Sequence, residues 1–341
     1  MVCGRRFSGG RDFTKEDIWE MYLHGKQTIA QISETTGLSA STVTRRLASI
    51  SFSWEQPRIK GSGVIHLDAT YFGRNTGVLL ALESGSGRLL YMKHIAHEHI
   101  SDYEDAVKHI VGCGYAIQGI VIDGFQKLFT VLSEYRIQMC QFHMVAIIRR
   151  KLTKNPQLEA GKELLELAYR LKGMDKDTFV GEFEKWKEKW HDFLKEKTVN
   201  KITGSPVYTH QRLRSAMVSI STYLPFLFTY EDVDGMPNTN NMIEGTFTGM
   251  KKTLRNHPGM IEDNRKRMVN GFFLHMQNYI IQKETTSKAV SRIALCIFDG
   301  FIPRGVAPQQ SSAALQAATQ NKRIYVKQPK TGVIFSTRFD L

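Results

Sequence analysis

The spacing of apolar and polar positions changes several times along this chain, and each change marks an element. In "TKEDIWEMYLHGKQTIAQISETTGLSASTVTRRLASI", residues 14–50, Ile18, Met21 and Tyr22 have helical spacing and Gly25 closes the segment. A second helix is predicted over Ile29–Thr36, stopped by Gly37, and Ser39 caps a third that carries Val43, Leu47 and Ile50. Beyond Val64 the period falls to two. Val64 to Phe72, a "GRNTG" turn, Val78 to Glu83, "SGSG", and Arg88 to Ile95 predict a three-stranded meander. His66, Asp68 and Thr70 share one face of its first strand, and Ile65, Leu67 and Ala69 share the other. "SDYEDAVKHIVGCG" reads as a helix capped by Ser101 or Asp102, with Tyr103, Ala106, Val107 and Ile110 at helical spacing. "AIQGIVIDGF" is a continuous apolar strand, as expected of one buried on both faces, and it ends in Asp123. "QKLFTVLSEY" is a helix and "RIQMCQFHM" a further strand.

From Val145 to about Tyr230 the pattern is helical and charge-mixed. Phe179, Phe183, Trp186 and Trp190 follow a 3.6-residue period there. "MPNTNNMIEGTFTGMKKTLRNHPGM" opens another helix, with Ile243, Phe247, Met250 and Leu254 on its apolar side and Glu244, Thr248, Lys251 and Arg255 on an adjacent polar stripe. The order β-β-β-α-β-α-β is that of a ribonuclease H-like core. The expected organisation is α/β: residues 14–50 a helix-turn-helix domain, 51–63 a linker, 64–144 and 236–300 the two parts of the core, 145–235 an all-helical insertion and 301–341 a C-terminal tail ending in the strand-like "GVIFSTRFDL".

Composition narrows the function. Lys and Arg outnumber Asp and Glu by 46 to 33, a formal net charge of +13, which favours a polyanionic partner. No apolar run approaches the roughly 18 residues of a membrane span. The four scattered cysteines fit free thiols in a reducing compartment, hence a cytoplasmic protein. In residues 14–50 a small residue (Ser33), a glycine four positions later and the following Leu38-Ser39 give the helix-turn-helix pattern. Ser41, Thr42, Thr44, Arg45 and Arg46 would then face outward, toward phosphates and base edges of double-stranded DNA.

An unpaired carboxylate inside an apolar strand is costly to bury, so Asp68 requires a partner or a cation. Asp123 ends the strand expected beside it, and Glu244 begins a helix after the insertion. Three converging carboxylates repel unless divalent cations neutralise them. Their hard oxygen atoms suit Mg²⁺ or Mn²⁺, and two such ions would serve in-line phosphoryl displacement. Each acid also has a plain reading: a solvent-facing strand residue, a turn residue beside Gly124, and a capping box formed by Asn241 and Glu244.

"HLDATYF", "IVIDGF", "CQFH" and "NTNNMIEGTFTGMKK", in that order over residues 64–280, resemble the DDE transposases of the Mutator-type superfamily, which includes bacterial insertion-sequence transposases. The resemblance implies a catalytic and metal-binding triad of Asp68, Asp123 and Glu244. It also implies DNA contacts that extend to Lys251 and Arg255, Mg²⁺-dependent strand cleavage and transfer at transposon ends, and a homo-oligomer on DNA in a bacterial, nucleoid-associated setting. "VCGRRFSGG" resembles the last part of a zinc ribbon, which makes residues 1–13 a possible remnant of one; with Cys3 alone it holds no four-ligand site.

Cys140 and His143 are expected to support the acids, the imidazole bonding a carboxylate or a phosphate and the thiol packing beside it. Trp186 and Trp190, flanked by Lys185, Lys187 and Lys189, are expected to pack the insertion, with stacking on an unpaired base as the alternative. His94, His97 and His99 lack the spacing of a metal site. Two other functions remain open at this point: a DNA-binding regulator with an inactive core, and a ribonuclease H-like nuclease without strand transfer.

Overall fold

The computed structural model describes residues 13–299 apart from 51, 53–55 and 57–58, with side chains to residue 282. The zinc-ribbon remnant up to residue 12, most of the linker and the C-terminal tail lie outside the described residues. The chain divides at Lys283 into two units, and everything below concerns the first.

Three helices come first: α1 (Lys15–Leu23), α2 (Ile29–Thr36) and α3 (Ala40–Ala48). Thr14 and Asp17 exchange bonds with each other's backbone at the start of α1, and Thr28 and Gln31 do the same at α2. Gly37 ends α2 in the left-handed conformation at φ 72°, and the Ser39 hydroxyl accepts from the Thr42 amide to start α3. Ser33, read as a small spacer, also donates its hydroxyl to the Leu38 carbonyl at 2.5 Å and so fixes the turn. Ile18, Leu23, Ile32, Val43 and Leu47 meet in one small core.

The central sheet has the order β3-β2-β1-β4-β5. Its strands are β1 (Gly61–Gly73), β2 (Thr76–Glu83), β3 (Leu89–Ile95), β4 (Tyr115–Ile122) and β5 (Ile137–Met139). β1 therefore begins inside the stretch read as a linker. β2 runs against β1 and β3, while β4 runs with β1 and β5 with β4. Four strands thus point the same way, and their carboxyl ends share one edge. Helices α4 (Ile100–Gly112) and α5 (Gln126–Val131) connect them. α4 starts at least two residues earlier than read, with His99 at the N-cap: Asp102 sits in the first turn and accepts from the His99 amide rather than itself being the cap.

Both faces of the sheet are covered, so the apolar run of β2 is sorted by alternation. Leu79 and Ala81 face the core shared with Ile65, Leu67 and α4, while Val78, Leu80 and Leu82 face α11 (Asn241–Arg255) and α12 (Glu262–Asp299). Gln141–Leu152 forms α6, whose buried Met144, Ile148 and Leu152 recur every fourth residue. "RIQMCQFHM" is therefore a strand only to Met139. The Cys140 amide makes the last ladder bond, to the Ile122 carbonyl, and the helical period then takes over.

The expected insertion contains α7 (Glu159–Arg170), α8 (Lys176–Lys189), α9 (His191–Lys195) and α10 (Gln211–Leu227). It is not all helical. β6 (Lys197–Val199) and β7 (Pro206–Tyr208) form an exposed hairpin whose turn is built by Asn200, with Gly204 at φ 67°. Nor does it have a core of its own, because Phe179, Phe183 and Trp186 belong to the same cluster as Ile65 and Ile120.

Candidate active site

Asp68 lies past the middle of β1, on the face turned toward α11. Val64, Ile65 and His66 pair with Gly119, Ile120 and Val121 across the parallel β1–β4 ladder. Two steps further, that register sets Asp68 against Asp123, on strands roughly 4.8 Å apart. Burial and then the Asp123 charge push the Asp68 carboxyl well above the usual carboxylate range, and Glu98 and Glu244 push it further. The Ala69 amide, which donates to Asp68 at 2.8 Å, opposes this only in part. Asp123 accepts from the Phe125 amide at 3.0 Å, so its turn role is real, but one oxygen is left for other work. A Cβ at the following Gly124 would sit 2.9 Å from the end of the Ile147 side chain, which would have to shift to admit a larger residue.

Glu244 is one turn into α11. No capping box ties it down: Asn240 is the N-cap, and its side chain makes no cap bond. Glu244 Oε1 instead lies 3.6 Å from His143 Nδ1 and has no hydrogen-bond partner among the described residues. Cys140 is fully buried at the α6 N-cap, where burial pushes its thiol up and its sulfur accepts from the Asn240 amide at 3.2 Å. Donor atoms of Cys140, His143 and Glu244 all lie within 4.8 Å of one another. The Cys-x-x-His pair thus stands beside the third acid at the start of a helix, not at the end of a strand as read from sequence.

Sequence reasoning missed two residues here. Glu98 follows β3 at the same edge of the sheet, accepts from the Tyr103 hydroxyl at 2.5 Å, and has its carboxyl raised first by burial and then against the charges of Asp123 and Asp102. It sat unnoticed among His94, His97 and His99, and only the antiparallel return of β2 brings the end of β3 to this edge. The second is Phe142, an aromatic ring 55% exposed and edge-on to His143. His94 is occupied differently, its Nε2 bonding Asn270 Oδ1 at 2.6 Å, and His97 and His99 form no metal cluster among the described residues.

The other candidates fall into two groups. Ser41, Thr44 and Arg45 on α3 are exposed, and Thr42 is half-buried. Arg46 departs from expectation: it is half-buried, and its guanidinium donates to the Phe13 carbonyl. Lys251 and Arg255 lie further along α11, half-buried and exposed. The far end of that helix meets the three-helix unit through Leu254 and through the bond from His257 Nε2 to the Tyr22 carbonyl, 2.9 Å. Trp186 is buried, its indole donating to the Ala160 carbonyl at 3.1 Å, so it presents no face to a base. Trp190 is half-buried, bonded to Glu163 and packed edge-on to Phe193. Their period was that of a core.

No family model matches the chain, and no curated protein does. Among solved structures it is similar to the strand transfer complex of Drosophila P element transposase, at 11% identity and a TM-score of 0.32 over 82% of this chain and 82% of that one. It is also similar to a simian T-cell lymphotropic virus intasome in complex with PP2A regulatory subunit B56 gamma, at 13% identity and a TM-score of 0.20 over 59% of this chain and 66% of that one. At these values neither likeness bears on function, which rests on this chain's own residues.

Proposed function

We propose that the protein is a DNA transposase of the DDE type with a ribonuclease H-like core, resembling the Mutator-type superfamily of bacterial insertion sequences. The observation that carries this reading is the convergence of Asp68, Asp123 and Glu244, from two parallel strands and a helix, at one sheet edge of a strongly basic protein. The donor set fits Mg²⁺ or Mn²⁺, since it offers hard oxygens whose mutual repulsion already lifts the Asp68 carboxyl. Two ions held there would supply the Lewis acidity that in-line phosphoryl transfer requires.

The remaining residues bind and position. His143 orients Glu244. Ser41, Thr42, Thr44 and Arg45 of α3 contact the transposon end, and Lys251 and Arg255 hold phosphates between that helix and the acids. Glu244 and Arg255 are separated by eleven residues of α11, about 16 Å of helix, within reach of a short stretch of duplex. Phe142, exposed beside His143, stacks on an unpaired base at the cleaved end, a role the packed Trp186 does not offer. The protein acts as an oligomer on two DNA ends.

The test is incubation with the ends of the flanking element and Mg²⁺, scoring nicked 3′ ends and joined products. Asp68→Asn, Asp123→Asn and Glu244→Gln should each lower both by about 10³-fold, the several kcal/mol a catalytic metal supplies, while DNA binding persists. Near-wild-type joining by any one variant would remove that residue from the metal set. Nicks without joined products would leave a nuclease.

A further inference from the structure

Away from the acids, a second group of metal-ligating side chains joins the three-helix unit to α12. Glu20 and His24 are one turn apart at the end of α1, and His275 faces them from α12. The two imidazole rings lie 3.7 Å apart, tilted by 36°. His24 Nε2 is 4.0 Å from the nearer Glu20 oxygen. One donor atom from each of the three residues lies within 4.8 Å of the other two.

The backbone around this group is closely packed. A Cβ at Gly271, one turn before His275, would come within 2.5 Å of the Trp19 ring, so α1 and α12 touch at that point. Trp19 packs on Phe52, and Tyr22 stacks on His257 with ring centroids 3.9 Å apart. The ligand atoms therefore meet because the helices are fixed by apolar packing.

His24 Nε2 is buried and lacks a hydrogen-bond partner among the described residues. A buried polar atom left unpaired is unfavourable by roughly 1–3 kcal/mol, and a bound cation relieves it. Two imidazoles and one carboxylate form a borderline donor set, suited to Zn²⁺ and poorly matched to Mg²⁺. Glu20 and His275 are exposed, which leaves room for a water as fourth ligand.

We infer that Glu20, His24 and His275 form a Zn²⁺-type transition-metal site that clamps α1 to α12. The occupied site would fix the three-helix unit, with α3 on it, against the helices that cover the sheet. This assignment is independent of the chemistry at Asp68. The other three-donor group among the described residues, Cys140, His143 and Glu244, belongs to the active site.

The probe is zinc alone. Chelator-stripped full-length protein, wild type and Cys140→Ser, is titrated with Zn²⁺ by calorimetry, and Co²⁺ binding is followed by visible absorption. One equivalent should bind to both proteins, with the intense Co²⁺ absorption of a four-coordinate site and a rise in Tm. His275→Ala and Glu20→Gln alter exposed residues and should fold. His275→Ala should weaken binding beyond the 10–100-fold seen on losing an outer partner, and should abolish the rise in Tm. The absence of saturable binding, binding unchanged by His275→Ala, or binding lost in Cys140→Ser would each overturn the assignment.

Discussion

His66 Nδ1 and Asn240 Oδ1 lie 2.6 Å apart in the interior, one on the strand of the first acid and the other at the cap of the helix that carries the third. Asp68 is two residues beyond His66 on the same strand face, and Glu244 is one turn beyond Asn240. The Asn240 amide also donates to Cys140 Sγ, and the Gln141 amide to the Asn238 carbonyl at 3.0 Å. One asparagine therefore ties together β1, the start of α6 and the start of α11, the three elements that carry or flank the acids.

Asn240→Ala should free β1 from the start of α11, because it removes the bond to His66 while the backbone amide still donates to Cys140. A buried partner left unpaired is unfavourable by about 1–3 kcal/mol, visible as a lower Tm. Displacing Glu244 by even 1 Å should cut cleavage by up to about 10²-fold with DNA binding unchanged. Thermal melts and single-turnover cleavage check both. Wild-type cleavage by a destabilised variant would mean that the bond holds the fold without placing the acid.

Without metal, stability should fall as pH rises. The Asp68 carboxyl is raised in the folded state, so the folded protein binds the proton more tightly than the unfolded chain. Its contribution is fully present below the ordinary aspartate range near 3.9 and is lost as pH climbs through the raised value. Asp68→Asn should flatten this part of the pH–Tm curve, and Mg²⁺ should raise the wild-type Tm more at higher pH. Melts in chelator and in Mg²⁺ across the carboxylate range measure it.

The two arginines of α3 should separate in their effects. Arg45→Ala should weaken DNA binding and lower the salt slope by about one, the signature of one lost phosphate contact. Arg46→Ala should lower stability by about 1–3 kcal/mol, because its guanidinium serves the Phe13 carbonyl. Binding isotherms at several salt concentrations, beside denaturant melts, distinguish them.

Trp186→Ala should destabilise the protein by about 3–5 kcal/mol, as loss of a large core ring does. Phe142→Ala, at an exposed position, should fold normally and lose the roughly 1–3 kcal/mol of one stacked base. The loss should appear in binding of pre-nicked ends. Equal binding by Phe142→Ala would remove the ring from the DNA path.

What the sequence by itself determined was local and periodic. Alternation sorted His66 and Asp68 onto one face of a strand and Ile65 and Leu67 onto the other. Glycine and cap signals bounded α2 at Ile29 and Thr36, and apolar spacing placed Glu244 on the polar side of a helix. These follow from backbone geometry and side-chain burial within a dozen residues. Where two periods compete over a few residues, as after Met139, the sequence left the boundary open. Burial of Met144, Ile148 and Leu152 against the sheet decided for helix.

Tertiary structure alone decided which distant groups meet. Glu98 reaches the acids because β3 runs parallel to β1. Arg46 turns from solvent to a carbonyl 33 residues away. His24 finds His275 across more than two hundred positions. Each is a long-range contact set by packing, and no local pattern encodes the partner.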